Sequence, residues 1–218
     1  MAMHVTWLGH SCFLVRTANG KRIVMDPYNQ KVGALPQELA ADVVTVSHHH
    51  FDHDYVQAVK GRPVVVDKAG RHEFEGFRVT GIPSWHDDQM GAKRGPNTIY
   101  IVESEGIRLC HLGDLGVIPS KDELLRLEGI DMLLIPIGGT FTIDPKEADK
   151  LVSIIKPKIV MPMHYSMEPG FPALRPLSEF TEGKQGIVHH GAMEYQLEKQ
   201  KQDGANPVYL ILSPVLRQ

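Results

Sequence analysis

Residues 47–54 read Ser47-His48-His49-His50-Phe51-Asp52-His53-Asp54, a run with metal-binding side chains at positions 48, 50, 52 and 53. The preceding residues 43–46 are β-branched, which predicts a buried strand that ends at the histidines. Side chains two residues apart on an extended backbone point the same way, so His48 and His50 can converge on one ion. Once the chain turns, Asp52 and His53 can face a second ion. Imidazole and carboxylate together suit zinc, iron or manganese.

Three consecutive histidines could instead form a solvated surface run or part of an expression tag. Tags lie at chain termini, whereas this run follows a predicted core strand and carries Asp52 and His53 at fixed offsets. The metal-site interpretation is therefore favoured. His49 would point away from its neighbours, so we expect packing or support of a ligand from it, and not ligation.

The composition of the chain is that of an ordinary globular protein. With 218 residues, 42% hydrophobic and 22% charged, we expect one domain over residues 1–218 with a substantial core. A net charge of -3 gives no electrostatic argument for a nucleic acid or an anionic membrane as partner. The first residues lack a signal-peptide pattern, and no apolar run approaches the roughly 20 residues of a membrane span. Cys12 and Cys110 are expected to be buried free thiols, which suits a cytoplasmic location.

Short strands and few helices are predicted along the chain. Asn19-Gly20 predicts a hairpin between two early strands, and a short helix is predicted over residues 36–40. A weak helical pattern over residues 55–59 completes a strand–helix–strand rhythm around the histidine run. The clearest helix begins at Asp144, where Pro145 and Glu147 complete a capping box. Further strands are predicted over residues 63–66, 77–82, 98–103, 107–112, 131–137, 158–163 and 208–213.

Residues with ligand chemistry recur where predicted strands end. Glycines on both sides of Asp114 permit a sharp turn that lifts its carboxylate into a cleft. Asp26 either accepts hydrogen bonds from ligand histidines or is a solvated turn carboxylate. His10 either reaches the metal site or caps a turn. Residues 89–96 are predicted to be a mobile loop at the mouth of the site. The candidate ligands are His48, His50, Asp52, His53, His86, Asp114 and His164.

These motifs resemble those of the metallo-β-lactamase fold over nearly the whole chain. His48-x-His50-x-Asp52-His53 is similar to the signature loop of that superfamily, and Gly113-Asp114 to its bridging-aspartate motif. Two β-rich halves with outer helices fit its architecture, an α/β fold that forms a four-layer αβ/βα sandwich. More narrowly, motifs near residues 7–11, 26–27, 135–139 and 161–165 resemble a branch of metal-dependent hydrolases that includes the ascorbate-6-phosphate-lactonase-like proteins.

The resemblance implies an assignment of ligands to two divalent ions, zinc or manganese with iron as a further candidate. One ion would take His48, His50 and His86. The other would take Asp52, His53 and His164, and Asp114 would bridge the two. His111, three residues before Asp114, competes with His86 for the third histidine position. A role for His111 in orienting the bridge is the favoured alternative.

Two ions about 3.5–4 Å apart would lower the pKa of a shared water to near neutral and so supply hydroxide. They would also stabilise charge that develops on a carbonyl or phosphoryl oxygen. Asp52 could orient the water or take its proton. Tyr165 and His10 are candidate donors to an oxyanion or leaving group, and Tyr165 could equally be a buried ring that packs under the site.

Hydrolysis of an ester, lactone or phosphodiester in a small molecule is the favoured function. One alternative is di-iron redox or oxygen-reducing chemistry, but 218 residues leave no room for the flavin-binding domain that di-iron oxygen reductases carry. The other alternative is a metal-binding scaffold without catalysis. A nuclease is disfavoured because the chain has no basic excess. The expected partner is a small-molecule substrate, without nucleic acid or membrane, and a homo-oligomer stays open.

Overall fold

The computed structural model describes residues 2–166, 173–199 and 206–213. Two β-sheets form its centre, and three short α-helices accompany them. The strands are β1 (Ala2–Gly9), β2 (Cys12–Arg16), β3 (Arg22–Met25), β4 (Val43–Thr45), β5 (Val64–Val66), β6 (Gly70–Phe74), β7 (Phe77–Trp85), β8 (Pro96–Ser104), β9 (Ile107–His111), β10 (Met132–Pro136), β11 (Ile159–Met163), β12 (Ile187–His190), β13 (Glu194–Glu198) and β14 (Val208–Leu212). The helices are α1 (Lys121–Arg126), α2 (Pro145–Ile155) and α3 (Leu177–Thr181), with a 3-10 helix at Val56–Ala58.

The first sheet has six strands in the order β13-β1-β2-β3-β4-β5. Successive antiparallel pairs join β1 to β2 and β2 to β3, whereas β3, β4 and β5 are parallel. Consequently β1, β3 and β4 run in one direction, and their carboxyl ends lie on one edge of the sheet. The outer strand β13 comes from far along the chain and pairs with β1 in antiparallel fashion.

The second sheet has eight strands in the order β12-β14-β11-β10-β9-β8-β7-β6. Strands β6 to β9 form an antiparallel meander, and β9, β10 and β11 are parallel neighbours. Strands β7, β9 and β11 therefore end at the same edge, which places Asp114 and His164 near each other, since each follows one of these ends.

Three apolar clusters show how the layers pack. One contains inward-facing side chains of both sheets, such as Trp7, Phe13 and Tyr100. A second joins the other face of the eight-stranded sheet to α2, whose apolar face is buried. The third covers the outer face of the first sheet with Tyr28, Leu39 and other side chains from irregular segments. The predicted α/β sandwich is confirmed, and its outermost layer beside the first sheet consists of loops and the 3-10 helix.

The hairpin at Asn19-Gly20, the capped helix α2 and the two buried free cysteines follow the sequence-based predictions. The helix predicted over residues 36–40 is wrong, because Leu39 and Ala40 form a bridge to Lys60 instead. The pattern over residues 55–59 gives only the 3-10 helix. In the described residues, no helix is both long and apolar enough to cross a membrane. That residues 1–218 form one domain stays a prediction.

Candidate metal centre

One group of candidate ligands comes from the end of β4 and the end of β7. Ring nitrogens of His48, His50 and His86 all lie within 4.8 Å of one another. The imidazole centroids of His48 and His86 are 4.6 Å apart, and those of His50 and His86 are 5.1 Å apart. His48 and His86 are buried, whereas His50 is partly open to solvent. Three imidazoles at this spacing can hold one transition-metal ion.

A second group lies beside the first and includes an unassigned histidine. Ligand atoms of His10, Asp52, His53 and His164 lie within 4.8 Å of one another. Asp52 Oδ2 is 3.3 Å from His10 Nε2 and 3.6 Å from His53 Nε2. The structure therefore brings His10 among the ligand atoms, where the sequence left a turn cap as an alternative.

Asp114 stands between the two groups. Its Oδ2 atom is 3.1 Å from His164 Nε2 and 3.3 Å from His53 Nε2, both in the second group. The same oxygen is 3.5 Å from His86 Nε2 and 3.9 Å from His48 Nε2, both in the first group. A carboxylate in this position is placed to contact two ions at once.

Several buried polar atoms of this cluster lack a partner in hydrogen-bond geometry among the described residues. They include Nε2 of His48 and His53, and Oδ1 of Asp114. Buried polar atoms are normally satisfied, so unsatisfied lone pairs that converge on one place need an explanation. A bound cation would satisfy the two Nε2 atoms, which both face Asp114 Oδ2, and the donor set of imidazole and carboxylate is one that transition metals accept.

Asp26 holds two of the candidate ligands from behind. Its Oδ2 lies 2.9 Å from His53 Nδ1, and its Oδ1 accepts the Ser47 N–H at 2.8 Å. The Ser47 hydroxyl donates to Asp26 at 2.5 Å, so it can accept from His48 Nδ1 at 2.9 Å. These contacts place a proton on Nδ1 of both imidazoles and leave each Nε2 lone pair for an ion. Ser47 was missed by the sequence analysis, although it directly precedes the histidine run.

His111 faces away from the ligand atoms. Its Nε2 lies 2.8 Å from the Ser11 carbonyl oxygen, and its Nδ1 accepts the Gly113 N–H at 3.0 Å. Both ring nitrogens are thus used on the backbone around the turn that carries Asp114. Asn97, which no sequence pattern singled out, accepts the Asp114 N–H at 3.0 Å and fixes the same turn.

The turn before Asp114 also requires glycine. Gly113 has a φ of +58°, and a Cβ there would stand 2.6 Å from Ser47 Cβ and in collision with the Asn97 amide. Because glycine has no side chain, the two sheets can approach closely at this position. Asp114 then reaches the histidines of the first sheet.

The electrostatics of the cluster follow from burial and from the closeness of opposite charges. Burial alone would raise the pKa of Asp114, but His164 and His53 hold it well below its ordinary range. Burial opposes a proton on His53, yet Asp114 and Asp26 raise its pKa well above the ordinary value. Burial lowers the pKa of His48 to about 2, with His53 acting in the same direction. Ionised Asp114 and neutral His48 are the protonation states that a metal requires.

Other predicted site residues lie at the border of the cluster or outside it. The Tyr165 ring packs against the core with its centroid 5.7 Å from that of Trp7, which agrees with the packing alternative. The His49 side chain is 68% exposed and lies near Asp54 and Asp67, away from the ligand groups.

The loop after His86 is organised around one carboxylate. Asp87 accepts backbone N–H groups of four loop residues at 2.8 to 3.0 Å, namely Gln89, Gly91, Lys93 and Arg94. Burial would raise its pKa, but these four bonds lower it to about 2. The loop predicted to be mobile therefore has a fixed hydrogen-bonded framework.

Comparisons with known proteins agree with this geometry. Residues 4–164 match the Beta-lactamase superfamily domain. A metal-dependent hydrolase of Thermococcus onnurineus is 34% identical over 193 residues, which cover 76% of this chain and 85% of the relative. A metal-dependent hydrolase of Carboxydothermus hydrogenoformans is 34% identical over 200 residues, with coverages of 77% and 86%.

Solved structures give the same result. A protein of Thermotoga maritima, described as a candidate zinc-dependent hydrolase of the metallo-β-lactamase superfamily, has a TM-score of 0.80 and 32% identity. The match covers 96% of this chain and 98% of that one. A diiron β-hydroxylase of Streptomyces venezuelae shares the fold alone, with 13% identity, a TM-score of 0.59, and coverages of 89% and 54%.

These findings confirm the predicted metallo-β-lactamase fold and the predicted class of enzyme, while the narrower ascorbate-6-phosphate-lactonase-like branch stays a prediction. The family match spans residues 4–164, which is most of the chain. The relative from Thermococcus onnurineus is 34% identical and is covered over 85% of its length. The chain therefore belongs to the β-lactamase superfamily, among its metal-dependent hydrolases.

Proposed function

We propose that the protein is a hydrolase that uses two divalent transition-metal ions to cleave an ester, lactone or phosphodiester bond in a small molecule. The observation that carries the proposal is the position of Asp114. Its Oδ2 atom faces Nε2 atoms of both ligand groups at 3.1 to 3.9 Å. A shared anionic ligand is what two neighbouring cations need to offset their mutual repulsion.

The residues would divide the ions between them in the way that the two groups suggest. His48, His50 and His86 would hold one ion, Asp52, His53 and His164 the other, and Asp114 both. When bound, such a pair of ions supplies a water of lowered pKa and polarises the substrate oxygen. Zinc or manganese fits the donor set best, and iron is a further candidate.

Asp52 is placed to orient an attacking water. Its side chain is 20% exposed, so it borders the open side of the cluster. Burial would raise its pKa, but the hydrogen bond from His10 and the charge of His53 depress it strongly. A carboxylate with so low a pKa is a weak base, so orientation of the water suits it better than removal of a proton. Tyr165 stays a candidate donor to an oxyanion or leaving group, with its ring packed against Trp7.

Two exposed aromatic side chains support a small organic substrate. Phe51, between two candidate ligands in the sequence, is 50% exposed, and Trp85, directly before His86, is 40% exposed. Both side chains neighbour candidate ligands in the chain, so they are candidates to contact the apolar part of a small organic substrate. The net charge of -3 continues to favour such a substrate over nucleic acid or an anionic membrane.

The test combines metal analysis with a substrate screen. Protein loaded with zinc or manganese is analysed for bound metal, then assayed against lactones, phosphodiesters and thioesters. We expect two ions per chain and hydrolysis of an ester, lactone or phosphodiester, both lost with a strong chelator and restored on reloading. Oxygen reduction by the iron-loaded protein without hydrolysis would support the di-iron alternative. Bound metal without either activity would support the scaffold.

A further inference from the structure

We infer that His10 is a ligand of the ion that Asp52, His53 and His164 would hold, so that this ion receives three histidines. The inference rests on the proposed metal site and adds a residue that lies outside the histidine motif of residues 48–53. It changes the coordination of one ion and leaves the other unchanged.

The His10 imidazole lies among the candidate ligands of this ion. His10 Nε2 lies 3.3 Å from Asp52 Oδ2, and the ring centroid lies 4.3 Å from that of His164 and 5.2 Å from that of His53. Nitrogen and oxygen ligands about 2.0–2.1 Å from a zinc ion stand roughly 2.9–3.6 Å apart when five of them surround it, as they would with Asp114 included. The distance from His10 to Asp52 falls within this range, and the 3.6 Å from His53 to Asp52 lies at its upper end.

His10 approaches the candidate centre differently from the residues that only support a ligand. Residues that only support a ligand in this structure contact it from behind, as Asp26 does at Nδ1 of His53. His111 similarly spends both ring nitrogens on backbone groups. His10 instead points its Nε2 into the space where the other ligand atoms converge. A side chain in that position completes a coordination shell and does not merely orient one.

The backbone is strained at His10 and at two other residues of the candidate centre. His10 has a φ of +51° and His164 a φ of +52°, a left-handed conformation that non-glycine residues rarely adopt. Asp26, which holds His53, has a φ of +46°. Strained backbones of this kind cluster where a side chain must be aimed. His10 shares the feature with an assigned ligand.

The turn between β1 and β2, which carries His10, is held by several side-chain hydrogen bonds. Side chains of Trp7, Tyr28 and His111 reach carbonyl oxygens of residues 10, 8 and 11 at 3.1, 2.6 and 2.8 Å. The His164 N–H donates to the His10 carbonyl at 3.4 Å, which ties this turn to another candidate ligand. A turn that only reverses a hairpin needs none of these contacts, because two-residue turns satisfy their own geometry.

The test uses the left-handed backbone of His10. His10→Gly removes the imidazole and keeps the turn, since glycine adopts a φ near +51° without strain. His164→Gly, at a φ of +52°, is the matched variant for loss of an assigned ligand. His49→Ala removes an exposed histidine outside both ligand groups and serves as the neutral control.

Zinc affinity and the visible spectrum of the cobalt-loaded protein are measured on each variant. We expect His10→Gly to weaken one ion at least tenfold, leave the other in place and change the cobalt spectrum. Added imidazole should restore both properties, because the cavity left by the ring can accept it. His49→Ala should match the wild-type protein.

His10→Asn distinguishes ligation from a hydrogen bond to Asp52. Asparagine tolerates the left-handed backbone and can donate to a carboxylate, but its amide is a poor ligand for zinc. A ligand role predicts that His10→Asn behaves like His10→Gly. Wild-type affinity and spectrum in either variant would overturn the inference. The metal content and hydrolysis of the wild-type protein test the proposed function separately, so the two failures can be told apart.

Discussion

At the scale of single residues, Asp114 is the side chain on which both ligand groups depend. Asp114→Ala would leave two cations facing each other without an anion between them, in a buried cleft where their repulsion is strong. We expect the variant to retain at most one ion and to lose hydrolysis. Elemental analysis and the substrate assay measure both effects, and Asp88→Ala, which removes an exposed aspartate outside both ligand groups, is the control. Retention of two ions with full activity would make Asp114 an ordinary loop residue.

His86 and His111 should differ in the kind of defect that their loss causes. His86 lies in the first ligand group, so His86→Ala should empty that position. His111 contacts only the backbone at Ser11 and Gly113 with its ring nitrogens, so His111→Ala should keep both ions. Loss of such a supporting residue typically costs about 10–100-fold in affinity or rate. Metal content and rate on both variants decide the question, and the opposite result would exchange the two roles.

Residue chemistry explains why the candidate ligands could be predicted from the sequence. The residues that hold those ligands in place by hydrogen bonds could not be predicted. Histidines and aspartates at strand ends have few structural uses, so their positions carry information before any fold is known. Ser47 and Asn97 are ordinary residues, and only the folded arrangement shows that they bind His48 and the Asp114 backbone. His10 stayed open for the same reason, since its neighbours come from both sheets.

At the scale of elements, the loop after His86 depends on Asp87. Asp87→Ala removes an acceptor that binds four backbone N–H groups, so we expect loss of amide-exchange protection over residues 89–94 and weaker metal binding at His86. Asp88→Ala should leave the exchange pattern unchanged. If protection persists in Asp87→Ala, other contacts hold the loop.

The same loop should respond to acid in a defined direction. The pKa of Asp87 is lowered from 3.8 to about 2, so the folded loop binds its proton less readily than the unfolded chain does. Its contribution to stability is present above pH 3.8 and is lost as the pH falls toward 2. Amide exchange of residues 89–94 across this range measures the effect, with Asp87→Ala as the variant that lacks it.

Elements with strong local signals could be predicted, and those stabilised by distant pairing could not. Helix α2 has a capping box and an apolar face, so its sequence suffices. Strands β6, β12 and β13 were missed because each is short and mostly exposed or half-buried, although the alternation of Glu-Tyr-Gln-Leu-Glu in β13 was a usable signal. Their pairing partners lie on other strands, which local patterns do not reveal. The helix expected over residues 36–40 does not form for the same reason, because Ala40 pairs with the distant Lys60 in a β-bridge.

At the scale of the whole molecule, the candidate centre joins the two sheets. Loops of the first sheet carry the histidine run and His10, and loops of the second carry His86, Asp114 and His164. Metal bound only by the folded chain should therefore stabilise it, by about 2.7 kcal/mol per site at free metal 100 times the Kd. For a chain of this size, each kcal/mol corresponds to roughly 2–4 °C in Tm.

Calorimetry with and without a chelator checks this prediction. Wild-type protein should lose stability on chelation, and Asp114→Ala, which binds fewer ions, should lose less. Equal shifts in the two proteins would indicate that the stabilising metal binds elsewhere.

The position of β13 determines when the first sheet is finished during synthesis. Strand β1 leaves the ribosome long before its outer partner β13, which comes only at Glu194–Glu198. Until then the backbone N–H and C=O groups of β1 on that side have no strand beside them, a condition that favours pairing with other nascent chains. Lys199, directly after β13, contacts the buried Asp131 at 2.9 Å, so the late segment is also anchored to the second sheet. A chain cut short before residue 194 would therefore possess every candidate ligand and still expose an unpaired strand edge, so the segment that contains β13 protects the chain against aggregation.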